Sequence, residues 1–262
     1  MEKKGSGKYY IIISLILGLL VLSISFNYIF SYISSDELNW QECRQSIYLR
    51  SISPEFKSGD ISLADLKDAF PLKCKTEVVT IDTAKPEKVY KKISDTLYAG
   101  WNLFGEGEFD IVPKKFLSGN SYCMVFARIS YTPKSRENYN ENDFSIESFA
   151  KYYRTSKEKN SGNVYNSYLP LYLKSEEGEL PENFVAVDNE VKFYPNDNDL
   201  MAVYVTGKTA RVISLLKGIL GENIINYLSR LIGEEDKEYK YILLIPKDKI
   251  NELDCEFLTI PA

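Results

Sequence analysis

The sequence predicts an α+β fold: an N-terminal transmembrane helix followed by one exported domain with a mixed or antiparallel sheet covered by helices. Three observations predict it. The run from Tyr9 to Ile33 contains no charged residue. Beyond it, segments with three-to-four apolar spacing alternate with β-branched and aromatic runs, the two signatures of amphipathic helix and buried strand. Four Cys, at positions 43, 74, 123 and 255, all follow the uncharged run, the even count expected of a chain folded outside the reducing cytosol.

As a helix, about 25 residues rising ~1.5 Å each reach past the ~30 Å hydrocarbon core of a bilayer. Lys3, Lys4 and Lys8 precede the run and Asp36 and Glu37 follow it, which orients the amino terminus toward the cytoplasm and exports the remainder. Residues 1–8 are then a cytosolic stub, 9–33 the single membrane pass in contact with lipid, and 34–262 the extracytoplasmic domain. Two processing alternatives stand beside a permanent anchor. KKGSGK ahead of a long apolar helix resembles the basic, Gly-containing leader of type IV pilin-like proteins, although those usually carry a Glu early in the helix and this chain has no acidic residue between Lys8 and Asp36. Ser23-Ile24-Ser25 offers a signal-peptide cleavage site, but the apolar run continues through Phe30.

Ser35 is placed to cap a helical stem through DELNWQECRQSIYL, with Leu38, Cys43 and Ile47 approximating one face. A short helix capped by Ser62 and stopped by Pro71 precedes Cys74, and KTEVVTID reads as the first strand. The clearest helix runs from Pro86 to Phe104. Pro suits its first position, Val89, Ile93, Leu97, Trp101 and Phe104 share one face, and Gly105 and Gly107 end it. SYCMVFARISY, 121–131, is a central strand. Residues 132–163 form a polar insertion with a short helix begun by Ser145. NFVAVDNEVKFYP suggests a hairpin turning at Asp188 and Asn189. LMAVYVT is a buried strand, 209–221 and 222–233 are two helices, YKYILLIP is a strand, and KDKINELDCEFL a short helix leading to a last strand at Cys255.

Composition removes several functions. There is no His among 262 residues, which excludes Ser-His and Cys-His catalysis and His-zinc sites. The residues after the uncharged run carry 29 basic and 36 acidic side chains, a net of −7, and such a surface repels nucleic acid. VTGKTA, 205–210, lies between a strand and a helix as a phosphate loop does, but Ala202 stands where the motif needs its first Gly. PNDND, 195–199, lacks the Gly and closing Glu of a calcium loop and reads as a turn. No cofactor or metal is expected.

Two constellations remain. Glu106, Glu108 and Asp110, in a Gly-rich turn beside Trp101, form a carboxylate cluster of the kind a glycosidase pairs with aromatic rings, or a calcium site uses. The plainer reading is a solvated helix end. Tyr139, Tyr152, Tyr153 and Tyr165 form a candidate contact surface, since Tyr offers area and a hydroxyl at low entropy cost; packing against the host domain is the alternative. Of the three connectivities open to the cysteines, Cys43–Cys74 is preferred because it ties the stem to the first strand, leaving Cys123–Cys255; the alternative is that some are free buried thiols.

Taken together, ECRQSIYLRS, LKCKTE, WNLFGEGEFD, YCMVFARI and YILLIPKDKINELDCEFL resemble a pattern found in single-span, N-terminally anchored surface proteins of small-genome archaea. That family has no established activity, and the resemblance implies the topology and a disulfide framework but no catalytic residue. The expected function is a membrane-anchored structural or interaction protein of the cell envelope with a protein partner at the cell surface. The rival is a His-free, carboxylate-dependent glycoside hydrolase or carbohydrate-binding protein; a pilin-like filament subunit is a further alternative.

Overall fold

The computed structural model describes residues 13–23, 35–52, 71–112, 121–136, 144–159, 161–172, 183–188, 190–194, 198–208 and 238–258. The chain divides into two compact units, Met1–Gln41 and Glu42–Ala262. In the first, helix α1 covers residues 13–23, with its Leu, Ile and Val side chains exposed. Among the described residues no helix is long and apolar enough to cross a membrane. The expected transmembrane helix over 9–33 is corrected on this ground; residues 9–12 and 24–33 lie outside the described residues.

The second unit is an α+β fold on a mixed sheet. Its strands are β1 (Glu77–Ile81), β2 (Tyr122–Tyr131), β3 (Leu171–Tyr172), β4 (Asn183–Val187), β5 (Leu200–Lys208), β6 (Glu238–Pro246) and β7 (Glu256–Phe257). They lie in the order β1-β2-β5-β6-β4-β3, and β7 pairs with β2. Among the described strands only β5 runs against its neighbours: the β2–β5 and β5–β6 pairs are antiparallel and the other pairs parallel. The middle strands β5 and β6 are buried along nearly their whole length, and runs as apolar as LMAVYV and YILLIP are what strands covered on both faces require. One face carries Val125, Val203, Val205, Phe184, Tyr241, Leu243 and Ile245. The other packs on the helices.

Helix α2 covers Ser35–Ile52, and helix α3 (Pro86–Leu103) begins where the sequence expects. Val89, Ile93, Leu97, Trp101 and Phe104 are all buried, and the ring of Phe104 stacks on Tyr204 of β5 at 3.7 Å. Strand β2 carries a bulge between Val125 and Ala127, which brings Phe126 against Gly100 of α3 and edge-on to Phe104. Helix α4 (Ile146–Thr155) is capped by Ser145, whose hydroxyl accepts from the Ser148 amide at 3.0 Å. The four-residue α5 (Tyr165–Tyr168) follows.

The predicted hairpin does not form. β4 pairs in parallel with β6 and β3, and after a turn closed by the Val191 amide on the Asp188 carbonyl the chain leaves the sheet. Phe193 then stacks on Phe149 of α4 at 4.4 Å, and its carbonyl accepts the Tyr131 hydroxyl at 2.8 Å. Burying Phe193 among rings outweighs the local turn signal. The expected helices at 62–70, 209–221 and 222–233 lie outside the described residues, as do Asn189 and Tyr139.

Both disulfides join the preferred pairs. Cys43–Cys74 ties α2 to the segment before β1 with a Cα separation of 4.4 Å, and Ser46 reinforces it by donating to the Cys43 carbonyl and accepting from the Lys73 amide. Cys123–Cys255 joins β2 to the residue before β7 at 5.9 Å. No cysteine is free.

Candidate contact site

The carboxylate cluster is dispersed. Glu106 and Glu108 are exposed, and Gly105, Glu106 and Gly107 take positive φ values of 62°, 56° and 83°, a tight turn that closes over Trp101. At Gly107 a Cβ would stand 2.7 Å from the Trp101 ring. Asp110 is bound by Lys240 at 2.5 Å, and the same ammonium donates to the Gly107 carbonyl at 2.8 Å. Lys240 thus fastens the turn to β6. Trp101, 1% exposed, has no face to offer a sugar. A glycosidase pair needs two carboxylates facing each other across a substrate, and here one is neutralised and two point to solvent. Among the described residues no group of three or more His, Cys, Asp and Glu is placed to hold a metal ion. Gly207 and Lys208 of the phosphate-loop-like stretch lie inside β5, paired with Tyr239 and Glu238; Asp199 of the 195–199 turn holds Arg128 at 2.5 Å.

The tyrosines are brought together, but at different depths. Tyr153 and Tyr165, 1% and 0% exposed, are core residues rather than contact residues. They stack on each other at 5.7 Å, and the Tyr153 hydroxyl donates to the Leu169 carbonyl. Burial pushes both phenols well above their ordinary pKa, and for Tyr165 the Asp95 carboxylate beside it adds to the effect. Tyr152 is half-buried, 6.0 Å from the ring of Tyr90.

Around this buried pair runs a half-exposed seam that pattern reading missed. On α3, Lys91, Asp95, Tyr98 and Asn102 recur at spacings of four, three and four, a stripe beside the buried Val89–Trp101 face. Lys91 binds Asp95 at 2.7 Å, and the other Asp95 oxygen accepts the Tyr165 hydroxyl at 2.5 Å. Tyr98 lies 5.0 Å from Tyr168 of α5, ring to ring, and 6.4 Å from Tyr165. Asn163 donates its amide to the Tyr168 hydroxyl at 2.7 Å. Burial raises the Tyr98 and Tyr152 phenols above their ordinary range, so both are neutral donors near pH 7. Charges of both signs surround these tyrosines: Lys91 is paired with Asp95, and Lys157, bridged to Val164, adjoins Glu158. The signal present in the sequence was the stripe 91-95-98-102; its partner at 163–168 is supplied only by folding.

No protein-family model, curated protein or solved structure matches the chain. The functional reading therefore rests on this geometry.

Proposed function

We propose that this chain is a non-catalytic interaction protein of the cell exterior, using the Tyr98–Tyr152–Tyr168 seam as its contact surface for another envelope component. The two disulfides agree with an exported, oxidising setting. The observation that carries the reading is the half-burial of those three rings over a rigid base of Tyr153, Tyr165 and Phe149. Aromatic anchors held in place before binding lose little entropy when a ligand arrives. The hydrolase alternative has less support, because Asp110 is engaged by Lys240 and Trp101 is enclosed. The test is affinity capture from envelope extract with the full-length chain. Retention of a defined component by the parent and by Tyr48→Ala, with loss in Tyr98→Ala/Tyr168→Ala, supports the reading; equal capture by all three proteins refutes it.

A further inference from the structure

We propose that the Cys43–Cys74 disulfide is a thiol-exchange site for small anionic thiols, with Cys74 Sγ as the sulfur attacked, and that Cys123–Cys255 stays closed under the same conditions. Both bridges pair an enclosed cysteine with a more accessible one. Cys43 and Cys123 are 3% and 0% exposed, whereas Cys74 and Cys255 are half-buried. Access therefore does not distinguish the two bridges, but charge does. Within two residues of Cys74 the charged side chains are Lys73 and Lys75, both exposed, and beside Cys43 the charges of Glu42 and Arg44 cancel. Within two residues of Cys255 they are Asp254 and Glu256, and none lies that close to Cys123. The first bridge thus carries +2 and the second −2, a difference of four. One residue further out, each gains a single carboxylate, Glu77 or Glu252, and the difference is unchanged.

The attacking thiolate bonds to Cys74 Sγ as the Cys43–Cys74 bond breaks, and the electron pair leaves on Cys43 Sγ. A second thiolate attacks the outer sulfur of the mixed disulfide and releases the small disulfide and the Cys74 thiolate, so two small thiols are oxidised and the bridge is reduced. Lys73 and Lys75 raise the local concentration of an anionic attacker and favour the Cys74 thiolate. The leaving sulfur is also better placed in this bridge. Arg50 lies seven residues along α2 from Cys43, about 10 Å at ~1.5 Å per residue. Its guanidinium is 4% exposed, Nε donates to the Ile111 carbonyl at 2.8 Å, and Nη2 has no hydrogen-bond partner. A buried cation at that distance favours charge on Cys43. Cys123, by contrast, sits in an apolar cluster with Val125, Val203 and Val205, against which Cys255 packs, and apolar surroundings disfavour a thiolate. After exchange the Ser46 hydroxyl still accepts the Lys73 amide, which keeps Cys74 beside α2 so that the bridge can re-form.

Full-length oxidised protein is treated with mercaptoethanesulfonate or cysteamine, thiols of similar size and opposite charge, in ~10 mM and ~1 M salt, where charges are felt over ~30 Å and ~3 Å respectively. Acid quenching, alkylation and mass-spectrometric peptide mapping then give the opening rate of each bridge. A unit charge ~8 Å from the attacked sulfur changes the encounter with an anion about twofold in water, so a difference of four charges amounts to about tenfold. Mercaptoethanesulfonate at low salt is expected to open Cys43–Cys74 faster than Cys123–Cys255 by that factor, and its adduct should sit on Cys74. Cysteamine, or high salt, should shrink the ratio severalfold. Lys73→Gln/Lys75→Gln should slow opening by mercaptoethanesulfonate about fourfold and change opening by cysteamine less than about twofold, with thermal melts confirming that the variant folds. Cys123–Cys255 opening first or equally fast, an adduct on Cys43, or a ratio indifferent to thiol charge and salt overturns the proposal. A Cys43–Cys74 bridge inert to both thiols, or a folded variant opened at the parental rate, overturns it as well. The parent protein alone can give all of these outcomes but the last, so a variant that does not fold still leaves the proposal refutable.

Discussion

Gly100 sits in α3, where Gly→Ala ordinarily stabilises a helix by about 1 kcal/mol. Here the opposite is expected. A Cβ at position 100 would lie 2.2, 2.3 and 2.8 Å from three atoms of the Phe126 ring. Restoring ordinary contact at about 3.4 Å requires a displacement of roughly 1 Å, and a buried interior packed as densely as a crystal does not yield that freely. Phe126 is 1% exposed and meets the Phe104 ring edge-on, so the ring cannot swing into solvent. Overpacking of this kind costs about 1–3 kcal/mol, which outweighs the helix gain. Set against a helix gain of about 1 kcal/mol, the net loss is up to about 2 kcal/mol, which for a domain of this size lowers the melting temperature by up to about 8 °C. Calorimetry or circular dichroism melts of Gly100→Ala, Phe126→Leu and the double variant check both sign and cause. In the Phe126→Leu background the smaller side chain frees the space, and Gly100→Ala should become neutral or stabilising. A Gly100→Ala protein that melts at or above the parent would show that α3 does not rest on the β2 bulge as described.

Trp101→Ala should destabilise the domain by about 3–5 kcal/mol, the usual effect of emptying a buried aromatic site; an unchanged urea midpoint would contradict its enclosure by the Gly105–Gly107 turn. Replacing Cys123 and Cys255 with Ala should cost more than replacing Cys43 and Cys74, because sequence separations of 132 and 31 correspond to about 5 and about 3.7 kcal/mol of loop-closure entropy; melts showing the reverse order would refute that account. Asp188 is 1% exposed, one of its oxygens has no hydrogen-bond partner, and burial raises its carboxyl above the ordinary value near 3.8. A raised folded-state pKa means the folded protein holds this proton more tightly than the unfolded chain, so stability falls as pH rises from about 3.8 through the raised value and the penalty is complete above it. Asp188→Asn should therefore be at least as stable as the parent at pH 7, with the difference shrinking as the pH approaches 4; a difference that grows on acidification would reverse the assignment.

Local pattern determined a good deal of this protein. The three-to-four spacing from Val89 to Phe104, with Pro86 before it and Gly105 after it, specifies α3 because each signal acts within one or two turns of chain. Ser145 specifies the start of α4 through a bond to an amide three residues on, and the apolar runs of β2, β5 and β6 announce strands covered on both faces. The even count of four cysteines pointed to a disulfide framework, but with three connectivities open the pairing Cys43–Cys74 and Cys123–Cys255 was only a preference until the fold brought those residues together. The length of uncharged sequence at 9–33 was a weaker guide: among the described residues no helix is long and apolar enough to cross a membrane.

Only the tertiary structure decided which groups became surface. Tyr152 and Tyr153 are adjacent in sequence, yet one is half-exposed and the other enclosed, because α4 lays a single face on Tyr165 and Phe193. Asp110 loses its freedom to Lys240, a residue 130 positions away, and no window of local sequence contains both. β4 chose β6 and β3 over a hairpin partner because Phe193 buries more apolar surface beside Phe149 than it would at a strand edge. The Tyr98–Tyr168 corner likewise joins α3 to α5 across 70 residues, as does the bond from Tyr165 to Asp95. Contacts at such separations depend on which faces the sheet leaves to be covered, a free-energy balance over the whole domain that residue patterns a few positions long do not encode.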